Sequence, residues 1–127
     1  PDGWNWTLHS RRPIAPGGDV ISGHFDETRP LYVAFPKTHG VSVRGIKRRC
    51  FNLITSADFN QWSAPQLILA PDERDDAGTL RRLEQSRWLL ENPDDPALMR
   101  TEFYGLGVYV AESCTIAFPW IFTINNN

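Results

Sequence analysis

The sequence lacks several features that define whole classes of protein. It has only two cysteines in 127 residues, too few for a disulfide framework, and its three histidines are scattered without the spacing of metal ligands. No apolar run approaches the ~20 residues that cross a bilayer. Basic residues number 13 against 15 acidic ones, so no strong field attracts nucleic acid or anionic lipid. We therefore expect no metal, no cofactor, no nucleic acid and no membrane partner.

The start of the chain also lacks familiar signals. Pro1 is not an initiator methionine, and no apolar leader segment follows it. We expect the chain to be either processed or a piece of a longer one. The composition predicts a soluble protein and slightly favours the cytoplasm. Cys50 and Cys114 are expected to be buried free thiols, because free cysteine is commonly buried.

Turn-forming and aromatic residues are plentiful, with ten Pro, nine Gly, five Trp and seven Phe. Short apolar runs between turn residues predict six strands, at 20–25, 31–35, 48–54, 62–69, 101–109 and 115–124. A further strand bearing Trp6 is expected after the turn at Asp2-Gly3. Pro65 makes 62–69 an edge strand, and 37–45 is expected to be a polar loop.

One segment has the pattern of a helix instead. Residues 79–91 lack Gly and Pro and carry four leucines among charged residues. This pattern predicts a helix of about three turns, with Asp76 or Thr79 as its cap. It would be inserted between two groups of strands.

Two internal matches indicate a repeat. Asp2-Gly-Trp-Asn-Trp6-Thr7 reappears as Asp58-Phe-Asn-Gln-Trp62-Ser63. Further along, Tyr32-Val-Ala-Phe35 matches Thr115-Ile-Ala-Phe118, and at that same offset Asp19 falls on Glu102. Repeats of roughly 40–60 residues made of short strands are typical of propeller blades. Acids at equivalent blade positions would then converge on one axis.

The repeats predict an all-β fold of antiparallel four-stranded β-propeller blades with one inserted helix. The divisions are a blade end (1–18), a full blade (19–70), a helical insertion (71–100) and a half blade (101–127). A closed propeller needs at least about four blades, so this chain alone forms a partial propeller. Its open edges would pair with copies in a homo-oligomer or with the missing remainder of a longer chain. A β-sandwich remains the alternative architecture.

The run Ser56-Ala-Asp58-Phe-Asn-Gln-Trp62-Ser63-Ala-Pro65 resembles the Ser-x-Asp-x-x-x-Trp-x-x-Pro signature of five-bladed β-propeller glycoside hydrolases. Invertase- and arabinanase-type glycosidases are members, and sialidases are relatives. The stretch Thr101-Glu102-Phe103-Tyr104-Gly105 also resembles an inner-strand segment of this group. The Trp-x-Asn-Asp-Pro-Asn-Gly, Arg-Asp-Pro and Glu-Cys motifs of the invertases are absent, as is the arabinanase Glu-Gly-Pro. The sugar therefore stays open.

The resemblance implies a funnel-shaped pocket at the propeller axis, lined by a carboxylate base or nucleophile, a sugar-orienting Asp and a Glu acid. Glu102 is the candidate acid, and Asp19 the candidate base, nucleophile or sugar orienter. Gly17 and Gly18 would let the backbone beside Asp19 approach a ligand. His24, Tyr104 and Arg48 are the candidate substrate contacts.

Each candidate has a structural alternative. Glu102 can pair with Arg100, Asp19 can serve a turn, and His24 and Tyr104 can be packing residues. Alternation along a strand puts Arg48 and Arg49 on opposite faces, so one of them would meet a sugar carboxylate or pair with Glu102. Asp2 and Asp58 are expected to cap backbone N–H groups in their turns. The acidic run 72–76 is an improbable calcium site because Arg74 lies inside it.

These observations predict a carbohydrate-active protein that hydrolyses glycosidic bonds with a carboxylate pair. The alternative is a carbohydrate-binding or structural propeller fragment that is inactive without other blades or copies.

Overall fold

Antiparallel β-structure dominates the computed structural model, which describes residues 2–126. The strands are β1 Ile21–Asp26, β2 Leu31–Val43, β3 Ile46–Ser56, β4 Gln66–Leu69, β5 Arg100–Val110 and β6 Thr115–Ile124. The first four form one antiparallel sheet in the order β1-β2-β3-β4, and β5 and β6 form a second. Neither sheet closes within the described residues. The expectation of a β-fold with one inserted helix is confirmed at this level.

The hairpin between β2 and β3 is longer than expected. The prediction of a loop at 37–45 is wrong, because β2 continues to Val43 and pairs with β3. A shift in register between Thr38 and Val41 accommodates the irregular middle of the strand. The turn is confined to Arg44 and Gly45, whose φ angles are 52° and 79°. Two successive positive φ values are typical of a two-residue hairpin turn that follows the strand twist.

Helix α1, Glu73–Glu84, begins six residues before the predicted start. Its cap is Asp72, whose side chain accepts hydrogen bonds from the backbone N–H groups of Arg74 and Asp75. The Asp75 side chain accepts the Asp72 N–H in return, which completes a capping box. Asp76 and Thr79, the predicted caps, are buried instead. The predicted continuation to residue 91 is reduced to a 3-10 turn, Arg87–Leu89.

The N-terminal segment contains no strand between residues 2 and 20, so the expected Trp6 strand is wrong. The turn that precedes it is present. Asp2 Oδ1 accepts the N–H groups two and three residues ahead, and Asp58 Oδ1 does the same in its own turn. The capping role predicted for both acids is therefore confirmed. β4 is also shorter than predicted and starts immediately after Pro65.

A single core joins the two sheets. Val33, Phe35 and Phe51 of the first sheet pack with Phe103 and Leu106 of β5. The hydroxyl of Ser22 on β1 donates to the Leu106 carbonyl, so the first strands of the two sheets lie against each other.

The two cysteines have different environments. Cys50 is buried as predicted, whereas Cys114 is exposed at the β5–β6 turn, so that half of the prediction is wrong. The turn there closes through a hydrogen bond from the Ala111 N–H to the Cys114 carbonyl. A thiol placed at the tip of a hairpin has no core to enter.

Neither helical segment of residues 2–126 has the length and apolar character needed to cross a membrane.

Candidate functional site

Two glycines set the position of the first candidate acid. The Gly18 N–H donates to the Lys37 carbonyl at 2.9 Å, and the Lys37 N–H donates to the Val20 carbonyl at 2.9 Å. A Cβ on Gly18 would lie 3.0 Å from the Lys37 oxygen, and one on Gly17 would lie 3.0 Å from Pro36 Cβ. The missing side chains thus permit a close approach to β2, whereas the sequence predicted a close approach to a ligand. This contact places Asp19 beside Lys37.

Asp19 and Lys37 form an ion pair at the boundary between interior and solvent. Asp19 Oδ1 accepts from Lys37 Nζ at 2.8 Å, with the Lys37 side chain 2% exposed and that of Asp19 69% exposed. The hydrogen bond from Lys37 lowers the pKa of Asp19, and the charges of Lys37 and Arg49 act in the same direction. Lys37 Nζ also lies 4.1 Å from the centre of the Tyr104 ring, within cation–π range.

The second candidate acid, Glu102, is buried on β5. One carboxylate oxygen accepts from Arg49 Nη1, and the other accepts from Arg100 Nε at 2.9 Å. Positively charged donors are the partners that a buried carboxylate needs. Arg49 Cζ also lies 5.8 Å from the centre of the Tyr104 ring. Arg49, with 29% of its side chain exposed, thus covers Glu102 and faces solvent.

These contacts bring Asp19, Glu102 and Tyr104 into one cluster. Tyr104 is the shared contact: Lys37, which pairs with Asp19, and Arg49, which pairs with Glu102, both lie over its ring. Neither cation was among the predicted site residues. Alternation gave a signal for Arg49, since it predicted that one of two neighbouring arginines would reach Glu102. Lys37 gave none, because its segment was expected to be a loop.

Arg48 lies on the opposite face of β3 from Arg49 and therefore points away from the cluster. It is fully buried, and its Nη1 and Nη2 atoms donate to Asp76 at 3.0 and 2.8 Å. The strand alternation is as predicted, but the predicted substrate contact of Arg48 is not available, because its guanidinium is buried against Asp76. Burial raises the pKa of Asp76, yet the hydrogen bonds from Arg48 and the Thr101 N–H outweigh it and lower the pKa overall. This ion pair fastens α1 to the sheets.

His24 does not join the cluster. Its ring stacks on Phe35 with centroids 6.1 Å apart. Both ring nitrogens are buried and have no hydrogen-bond partner among the described residues. The structure thus places His24 on the interior face of β1, whereas Asp19 precedes that strand.

Two cavities lie on the first sheet. One of about 390 Å³ is walled by Phe25, Tyr32, Phe59 and Trp62 and also touches His24. The other, of about 280 Å³, lies beside the two glycines and Lys37. Neither is lined by Asp19, Glu102 or Tyr104. Asp19 is exposed and Glu102 is buried beneath Arg49, and neither cavity is therefore the funnel that the resemblance implies.

The acidic run before and within α1 is occupied by structural contacts. Asp72 and Asp75 form the capping box, and Asp76 binds Arg48. Throughout residues 2–126, no three His, Cys, Asp or Glu side chains are grouped so that they could hold a metal ion.

The cluster offers a ligand three kinds of group. Asp19 is an exposed carboxylate, Arg49 supplies guanidinium donors, and Tyr104 supplies an aromatic ring flanked edge-on by Trp120 and Phe122. Hydrogen-bonding groups around an aromatic face suit a polar ligand that also has an apolar face. No family model, curated protein or solved structure matches the chain.

Proposed function

We propose that this chain is part of a carbohydrate-active protein that resembles five-bladed propeller glycosidases. In this proposal the four-stranded sheet is one blade, and β5 and β6 begin the next. Two features support it: the first sheet has the β1-β2-β3-β4 order of a blade, and β1 contacts β5. The inner strands of successive blades would have this relation.

One observation carries the functional part of the proposal. Asp19 precedes the first strand of one sheet, Glu102 lies near the start of the first strand of the other, and both belong to the cluster around Tyr104. Glycoside hydrolysis uses two carboxyl groups that flank the scissile bond. The Tyr104 ring, which the cation partners of both acids contact, would stack on a sugar face.

For hydrolysis, Asp19 and Glu102 take different roles. Asp19 is exposed and has a lowered pKa, which suits a base, a nucleophile or a group that orients the sugar. Glu102 would be the general acid. Because Arg49 and Arg100 already bind its two oxygens, a substrate must displace one arginine and Glu102 must take a proton from solvent before it can donate that proton to the leaving group.

The second candidate function is carbohydrate binding without cleavage. Two observations favour it. The same two arginines bind both carboxylate oxygens of Glu102. In addition, neither cavity is lined by Asp19, Glu102 or Tyr104. In that case Glu102 is a positioning residue for Arg49. Further blades or copies would then be needed for any chemistry.

The variant Glu102→Gln separates the two functions. The wild type is screened for hydrolysis of a panel of aryl glycosides and for oligosaccharide binding by calorimetry. If Glu102 is the acid, Glu102→Gln lowers turnover by about 10²–10⁴-fold and spares binding. Asp94→Asn, at an exposed acid outside the cluster, is the matched control and should change neither quantity.

Each other result has a definite meaning. Turnover that is unchanged in Glu102→Gln contradicts the acid assignment. Binding without turnover in the wild type, lost in Asp19→Asn, supports the binding function. A wild type that neither binds nor cleaves any saccharide of the panel refutes the carbohydrate proposal for this chain.

A further inference from the structure

The second sheet exposes an unusually apolar face. Tyr109, Phe118 and Trp120 are each more than 60% exposed, and Phe122 is 37% exposed. With ~200 Å² per aromatic side chain, these four residues present about 450 Å² of apolar surface. That is more than half of the ~800 Å² that each partner contributes to a standard protein interface. β6 contains no charged residue, so covering it desolvates no charge.

The strand registers show which residues of the first sheet correspond to the exposed aromatic residues of the second sheet. Pro36 of β2 lies opposite Ile21, and Pro119 of β6 lies opposite Leu106. The sequence match of 32–35 with 115–118 follows the same alignment. Phe118 on β6 is therefore the equivalent of Phe35 on β2.

The two equivalent residues differ greatly in exposure. Phe35 is 6% exposed because it packs in the core with Phe103 and Leu106 of β5, whereas Phe118 is 63% exposed. In the same way, Ile116 is exposed where its equivalent Val33 is buried. The two sheets thus carry equivalent apolar faces. The face on the first sheet is covered by β5, and the face on the second sheet is open.

The strand that covers the first sheet, β5, also has an equivalent in the chain, which is β1. Leu106 of β5 is 4% exposed and packs in the core that includes Phe35. Its register equivalent on β1 is Ile21, which is 53% exposed, and Val110 corresponds to Phe25, which is 47% exposed. The outer face of β1 therefore has the position and apolar character of a cover, and it borders the cavity that Tyr32, Phe59 and Trp62 wall.

The open face and the unused cover lie on opposite sides of the chain. The first sheet contacts β5 through the face that bears Val33 and Phe35, and alternation places Ile21 on its other face. Likewise, Leu106 faces the core while Phe118 lies on the other side of its sheet. The two surfaces are thus available to separate molecules.

We propose that copies of this chain associate head to tail. The Ile21 and Phe25 face of β1 in one copy covers the Ile116 and Phe118 face of β6 in the next, as β5 covers β2 within the chain. Such an interface joins two different surfaces, so the series either closes into a ring or stays open-ended. This inference rests on the register and exposure of the strands and does not use the carbohydrate proposal, although Trp120 and Phe122 of the open face also flank Tyr104.

The experiment uses the 127-residue chain and two variants, Ile21→Glu and Phe118→Glu. Each variant keeps one of the two surfaces intact. Light scattering at several concentrations should give a multimer for the wild type and a monomer of 14.5 kDa for each variant alone. A mixture of the two variants should form a one-to-one dimer and nothing larger, because only one compatible interface remains. Trp88→Glu, at an aromatic that is 81% exposed outside both faces, should behave as the wild type.

Circular dichroism of each variant verifies the fold, and Phe118→Ser replaces Phe118→Glu if the charged variant does not fold. A wild type that stays monomeric at every concentration overturns the proposal. An Ile21→Glu variant as large as the wild type also overturns it, since β6 would then pair with something other than β1. Equally, a mixture that remains monomeric contradicts head-to-tail association.

Discussion

The buried pair of Arg48 and Asp76 gives the sharpest test of how this fold is held together. The Arg48 side chain has no exposed surface, and Asp76 accepts from it twice, from Arg44, and from the Thr101 N–H. Asp76→Ala removes the only carboxylate bonded to Arg48 among the described residues. The charge of Arg48 then remains buried without compensation.

The expected loss is large on the scale of the whole protein. Removing one member of a buried ion pair costs about 3–5 kcal/mol, against the ~5–15 kcal/mol that stabilise a typical domain. With a denaturant slope of about 2 kcal/mol per M, the urea midpoint should fall by about 2 M. A variant with Arg48→Met and Asp76→Leu should lose less than Asp76→Ala, because it leaves no buried charge.

Urea unfolding of the three proteins, followed by tryptophan fluorescence, measures these differences. Asp94→Ala is the control, since Asp94 is 85% exposed and its pair with Arg87 lies at the surface. Exposed pairs contribute under about 1 kcal/mol. An Asp76→Ala loss no larger than that of Asp94→Ala would refute the reasoning, as would a double variant that is less stable than Asp76→Ala.

Two further predictions concern acid stability and glycine. The hydroxyl of Thr28, and then the guanidinium of Arg29, lower the pKa of Asp26 from 3.8 to about 2. The stabilisation that the Asp26 carboxylate gives to the fold is therefore full above pH 3.8 and is lost as the pH falls through about 2. Unfolding midpoints of Asp26→Asn should consequently vary less with pH in that window than those of the wild type, and parallel curves would contradict the assignment. Gly18→Ala should destabilise the fold by about 1–3 kcal/mol, because its Cβ would meet the Lys37 carbonyl at 3.0 Å. Gly78→Ala, where a Cβ meets nothing within 4 Å, should stabilise α1 by about 0.5–1 kcal/mol; urea unfolding measures both, and shifts of the same sign would contradict the packing argument.

Local patterns were sufficient for most strands and for the turn acids. Residues 115–124 were predicted as a strand and form β6 with those bounds, because a run of β-branched and aromatic residues has strong strand preference. Asp2 and Asp58 cap their own turns through neighbours two and three residues away. Such contacts depend only on the local sequence.

Local patterns failed where a polar residue has a distant partner. Lys37 made its segment look like a loop, yet its charge is compensated by Asp19 and Tyr104 and the strand continues. Asp76 resembled a helix cap, yet its partners Arg48 and Thr101 come from two other strands. A polar side chain has different consequences in solvent and in an ion pair, and sequence spacing does not distinguish the two.

The sequence by itself determined the β-character of the chain, its inserted helix, and the opposite orientations of Arg48 and Arg49. These properties follow from side-chain preference and from the two-residue period of a strand. Only the tertiary structure decided which arginine meets Glu102, that Lys37 joins the cluster, and that one of two equivalent apolar faces is covered. Those outcomes depend on how β5 and α1 pack against the first sheet, and such contacts join residues far apart in the sequence.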